Sequence, residues 1–106
     1  WAGLQKHERA IADLDRAIEL DPNSAELRDG RAFVLVRMQR YDAALADFEM
    51  AARLDPQLAL TFVLRGGLYE RLDGDPRRAC GEWQNACRLG DCRLVEAKCA
   101  GSAMAP

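Results

Sequence analysis

The chain repeats itself. Moved along by 34 residues, the segment 7–24 (HERAIADLDRAIELDPNS) falls on 41–58 (YDAALADFEMAARLDPQL). Ala10 meets Ala44, Leu14 meets Phe48, Ala17 meets Ala51, and Leu20-Asp21-Pro22 meets Leu54-Asp55-Pro56. The pattern continues at an offset of 35, taking Ala44 to Ala79, Phe48 to Trp83, Ala51 to Ala86 and Leu54 to Leu89. One extra residue therefore enters between Leu72 and Ala79, in the Asp73-Gly74-Asp75-Pro76 turn. A period of about 20–50 residues marks an array of stacked units, each burying against its neighbour a face it cannot bury alone.

Each unit has the spacing of two helices. Ala10, Leu14 and Ala17, then Ala44, Phe48 and Ala51, recur at intervals of four and three, which places them on one helical face. The alanines let a neighbouring helix approach, and Leu14, Phe48 and Trp83 fill the space between. Asp-Pro ends the helix, because proline cannot continue it and biases the preceding residue away from helical geometry. Ser24 is placed to cap the next helix, with Glu26 in its first turn where the helix dipole favours an acid. Asp75-Pro76 is predicted to act as cap and first helical residue in the same way. The composition agrees: 18 Ala and 14 Leu stand against only 7 Val, Ile and Thr, too few β-branched residues for an all-β fold.

The expected fold is all-α, an array of antiparallel helix pairs. A partial first unit covers 1–24, with 1–4 as the tail of one helix and 7–20 as a second. Full units cover 25–58 (helices at 24–38 and 42–54) and 59–91 (helices at 58–72 and 76–89). A capping helix follows at 92–99, and 100–106 is a flexible tail.

Charge excludes some partners. The net charge of -2 and the even scatter of 13 Arg among the acids argue against a nucleic-acid or anionic-membrane binder. No run approaches the ~20 apolar residues of a membrane span, and no targeting segment is visible. The chain begins with Trp1, so its start is expected to have been removed or left out. The 7–20 helix then lacks the partner its apolar face requires, and further chain or another subunit is expected to cover it.

The 34-residue helix-turn-helix period with R-Y-D-x-A-L-x-D-F-x-x-A-x-x-L-D-P at 40–56 resembles a tetratricopeptide repeat, from Trp1 to Leu89. Arg31-Ala32 and Arg65-Gly66 match the small position of the family's first helix, and Tyr69 its aromatic. Arg28 stands where the family often has an aromatic, Gln39 where it has glycine, and Leu89-Gly90-Asp91 replaces Leu-Asp-Pro. The segment 74–91 is similar to the last repeat of many bacterial members. The resemblance implies a right-handed superhelix whose concave groove is lined by the first helix of each pair and binds a protein or peptide without catalysis. Carried over, the groove comprises Glu26, Asp29, Gly30, Phe33, Val36 and Arg37, then Leu60, Val63, Leu64, Gly67, Glu70 and Arg71. A clamp for a terminal carboxylate needs Lys and Asn where this chain has Asp29, Phe33, Val63 and Gly67, so that clamp is absent. An apolar strip (Phe33, Val36, Leu60, Val63) flanked by Arg37 and Arg71 would take an apolar helix or extended peptide with acidic flanks. Packing between repeats would account equally well for each apolar member.

The four cysteines all lie late, at 80, 87, 92 and 99. Four allow three pairings. Cys80 with Cys87, or Cys92 with Cys99, would span roughly 10 Å along one helix, beyond the ~7 Å reach of a bridge. Across a helix hairpin, facing residues share one index total. Cys80–Cys99 and Cys87–Cys92 do, both centred on Leu89-Gly90. Nested bridges would staple a capping helix too short to stand alone and would imply an oxidising compartment, such as the bacterial periplasm. Buried free thiols in a cytosolic protein remain an alternative. Zinc fits poorly without close C-x2-C pairs, and a redox dithiol without C-x-x-C.

Other chemistry finds no support. His7, the sole histidine, stands where the next unit has Tyr41 and is expected to pack. Asp13, Asp15, Asp42 and Asp47 are expected on solvated outer faces. Gly66-Gly67 lies within a helical pattern and forms no phosphate loop; close packing explains Gly66 and an open patch on the groove Gly67. Trp83 fits the core position of Phe48. No catalytic constellation, metal site or cofactor is expected. The leading expectation is an interaction scaffold or accessory subunit of a bacterial, extracytoplasmic complex. The alternatives are a structural or self-association module and, less well matched, a thiol-redox protein.

Overall fold

Proline and left-handed turn residues cut the chain into helices. The computed structural model, which describes residues 2–99, orders them as α1 (Ala2–Leu20), α2 (Ala25–Arg37), α3 (Tyr41–Leu54), α4 (Ala59–Asp73) and α5 (Arg77–Arg88), closed by a π-helical turn at Val95–Cys99. The described residues contain no strand, and the helices pack as antiparallel pairs. The tail expected at 100–106 lies outside the described residues. The chain divides into two compact units, Trp1–Pro56 and Gln57–Pro106. In the first, α2 packs on α1 and α3; in the second, α5 packs on α4 and the closing turn.

The boundaries follow from local chemistry. Ser24 caps α2: its Oγ accepts a hydrogen bond from the Leu27 N–H at 3.2 Å, satisfying one of the donors a helix start leaves open. At α5 the start is one residue later than predicted. Pro76 occupies the cap position, and the Asp75 carboxylate accepts from the Arg77 N–H at 2.9 Å. The break expected between 4 and 7 is not present, and α1 runs through it. Gln5 and Lys6 are good helix formers, and no proline or glycine interrupts them, so nothing local ends the helix there.

Two helix ends share one device. After α2, Gln39 N–H donates to Val36 C=O and Arg40 N–H to Leu35 C=O, both at 2.9 Å. After α5, Gly90 N–H donates to Cys87 C=O at 2.9 Å and Asp91 N–H to Ala86 C=O at 3.0 Å. This paired pattern needs a left-handed residue, which is Gly90 (φ 111°) in one case and Gln39 (φ 62°) in the other. A side chain in that region costs roughly 1–2 kcal/mol, partly offset by the greater freedom glycine loses on folding. Gln39→Gly is therefore expected to stabilise the first unit by about 0.5–1 kcal/mol, read as a higher urea midpoint. A lowered midpoint would show that the glutamine is not strained.

The cores of α2 with α3 and of α4 with α5 lie where the repeat places them, while Ala10, Leu14 and Ala17 of α1 are only half-buried. In the first unit Ala32, Ala44, Phe48 and Ala51 are buried, and in the second Leu68, Ala79, Trp83 and Ala86. The Trp83 indole N–H donates to the Val63 carbonyl at 3.1 Å across the α4–α5 pair. Gly66 makes this contact possible: a Cβ there would overlap the indole nitrogen and stand 2.7 Å from Trp83 Cδ1. A Cβ at Gly67 would meet nothing within 4 Å.

The closing segment departs from the expected α-helix. It widens into a π-helical turn over Val95–Cys99, with Cys99 buried and Leu94 and Val95 packed on the core formed by Ala79, Cys80 and Trp83. So short a helix has little stability of its own, and core contacts decide its form. Cys80 and Cys99 stand at disulfide distance with Cα atoms 5.9 Å apart, as do Cys87 and Cys92 at 4.0 Å.

Candidate functional site

On the first unit, α2 carries the predicted wall residues Glu26, Asp29, Gly30, Phe33, Val36 and Arg37. Phe33 is 48% exposed, with the Arg37 guanidinium carbon 5.9 Å from its ring centroid, within the range of a cation–π contact. Both belong to one helix face, four positions apart, which is why they meet. Val36 is half-buried and Glu26 exposed. Asp29 does not present itself as a wall residue should. It is 1% exposed, so its carboxylate belongs to the packed interior.

On the second unit, α4 carries Leu60, Val63, Leu64, Gly67, Glu70 and Arg71. Leu60 is 48% exposed and Arg71 is exposed, while Val63 and Leu64 are half-buried. Val63 also serves the core, since its carbonyl receives the Trp83 indole N–H. Glu70 is not free for a partner's cation: the Lys98 ammonium from the closing turn donates to it at 3.0 Å. Lys98 also lies 5.5 Å from the Trp83 ring centroid.

The acids expected on outer faces include two that bind arginine. Asp47 is 5% exposed and takes a two-pronged hydrogen bond from Arg31, Nε to Oδ2 and Nη2 to Oδ1, each 2.8 Å. The remaining Arg31 nitrogen, Nη1, reaches Asp15 Oδ1 at 2.8 Å, so one guanidinium ties α1, α2 and α3 together. The Asp47 hydrogen bonds, and then Asp15, hold the Arg31 guanidinium well above its ordinary range, and it stays charged. Arg28, standing where an aromatic was expected, places its guanidinium 3.7 Å from the same Asp47 oxygen. The second unit repeats the device. Arg65 donates through Nε at 3.0 Å and Nη2 at 2.8 Å to Glu82 Oε1. The sequence carried a signal for this, because Arg31 maps to Arg65 and Asp47 to Glu82 at the repeat offsets. Spacing alone gave no reason to pair them.

The described residues contain no group of three or more His, Cys, Asp or Glu placed to hold a metal ion, and no helix long and apolar enough to cross a membrane. The exposed surface of α2 offers an aromatic ring beside a guanidinium group, and that of α4, taken by itself, an exposed Leu60 and an exposed Arg71. A family model described as tetratricopeptide repeat matches residues 2–79. No curated protein matches the chain.

Proposed function

The chain belongs to the tetratricopeptide repeat family, whose members generally mediate protein–protein interaction and are typically non-catalytic, and on that premise we propose that it is a scaffold or accessory subunit capturing a peptide or helix of a partner protein. The captured segment is apolar with acidic flanks. Exposed apolar side chains together with exposed guanidinium groups suit that chemistry, the apolar part giving burial and the arginines pairing to carboxylates. The observation that carries this reading is Phe33, a large aromatic left 48% exposed with Arg37 beside its ring. On α4, Leu60 adds an exposed apolar side chain and Arg71 an exposed guanidinium. Asp29 and Glu70 are left out of the contact set, since one is buried and the other is held by Lys98.

The two cysteine pairs support placing the protein in an oxidising compartment, the bacterial periplasm or outside the cell. Its role there is assembly of a larger complex.

Pull-down from the source organism identifies the partner, and titration of that partner tests the surface. Phe33→Ala and Arg37→Glu are each expected to weaken capture by about tenfold or more, as loss of an interface anchor does. Unchanged affinity in both variants overturns the assignment. A light-scattering mass above one chain that ignores both substitutions would instead favour a structural or self-association role.

A further inference from the structure

The two cysteine pairs differ in what covers them. Cys80 and Cys99 are 2% and 0% exposed and form part of the core with Ala79 and Trp83. Cys87 and Cys92 are both half-buried and flank the Leu89-Gly90-Asp91 turn, five positions apart. A thiol reduces a disulfide only by reaching one of its sulfurs, so the buried pair waits on an opening of the core and the outer pair does not.

The turn between the outer cysteines is held by more than their sulfurs. Gly90 N–H bonds to Cys87 C=O at 2.9 Å, Asp91 N–H to Ala86 C=O at 3.0 Å, and Glu96 N–H to Cys92 C=O at 3.0 Å. Leu94 and Val95 remain packed on the core beyond it. Opening the outer pair thus leaves both the helix end and the closing turn anchored.

We propose that Cys87–Cys92 is a redox-sensitive clip that a dithiol reductant opens while Cys80–Cys99 stays closed. One thiolate of the reductant attacks a sulfur of the pair, the Cys87–Cys92 bond breaks, and a mixed disulfide forms with one cysteine leaving as thiolate. The reductant's second thiol displaces the other cysteine. The cyclic disulfide of the reductant departs, two electrons and two protons having passed to the protein as two thiols. The fold then displays a dithiol at the end of α5 without losing its cap. The inference rests on both bridges being closed, and the untreated sample reports that separately.

The test is a time course of the native protein in dithiothreitol, quenched with iodoacetamide and read by intact mass and peptide mapping. An early species alkylated twice, at Cys87 and Cys92, is expected, with Cys80 and Cys99 labelled at least about tenfold more slowly unless denaturant is added. A Cys87→Ser/Cys92→Ser variant should lose the fast phase and keep the slow one. Simultaneous labelling of all four cysteines, or labelling of Cys80 and Cys99 first, overturns the selectivity. Four alkylated cysteines in denaturant before any reductant is added overturns the bridges themselves.

Discussion

Replacing Asp47 with alanine is expected to cost the first unit about 3 kcal/mol, the lower end of the range for removing one partner of a buried ion pair. Asp47 is almost wholly buried, and its loss leaves the Arg31 Nε and Nη2 donors without their acceptors. The upper end is not reached because the Arg31 side chain keeps 22% exposure and retains Asp15. Asp15→Ala is the matched control. That carboxylate is 49% exposed, and its pair with Arg31 should be worth no more than about 1 kcal/mol. Urea unfolding followed by circular dichroism separates the two, and raising the salt concentration should shrink the Asp15 effect while sparing the Asp47 one. Equal losses in the two variants would show that Asp47 acts as a surface charge after all.

Trp83→Ala should be as damaging to the second unit, by about 3–5 kcal/mol, the usual cost of emptying a core aromatic site. The side chain is 1% exposed, packs with Ala79, Cys80 and Cys99, and satisfies the Val63 carbonyl. Gly66→Ala attacks the same contact from the other side. Overpacking of about 1–3 kcal/mol then works against the roughly 1 kcal/mol that alanine gains over glycine in a helix. The informative measurement is the cycle with Trp83→Phe, which keeps an aromatic core residue and removes the indole nitrogen. Gly66→Ala should be better tolerated in that background, because the overlap is with the indole. Strictly additive losses in urea midpoints would mean that Gly66 is not there for Trp83.

Arg31 shows where reading the sequence stops. Its repeat mate Arg65 and their acid partners Asp47 and Glu82 were all in register, yet the acids scattered along α1 and α3 looked like an ordinary solvated surface. Facing across a helix pair depends also on how far each helix is shifted along its axis against the other, and helical spacing within one segment carries no information on that. Asp29 fails for the same reason. Its place in the repeat put it on the wall, while packing turned it inward. Glu70 was assigned to a partner without knowledge that Lys98 would come within 3.0 Å of it from 28 positions away.

Local rules served better. Ser24 was legible as a cap because the hydrogen bond it makes is to a residue three positions on, and the Ala and aromatic positions of α3 and α5 were legible because burial of a narrow face repeats every three or four residues. The cysteines belong to this group too. Their pairing needed only that two segments run antiparallel from one turn, and the structure brings the same pairs to disulfide distance. The closing segment marks the limit: spacing asked for an α-helix, and contacts of Leu94, Val95 and Cys99 with the Trp83 core set a wider turn.

By itself, then, the sequence determined the all-α class, the order of the helices, the small-and-aromatic core and the arrangement of the cysteines, because each rests on periodicity or on neighbours a few residues apart. Tertiary structure alone decided which charges pair, which predicted wall residues stay exposed and how the last turn is wound. Those outcomes depend on contacts between residues distant in the chain, whose energies exceed the weak local preferences that a sequence pattern reports.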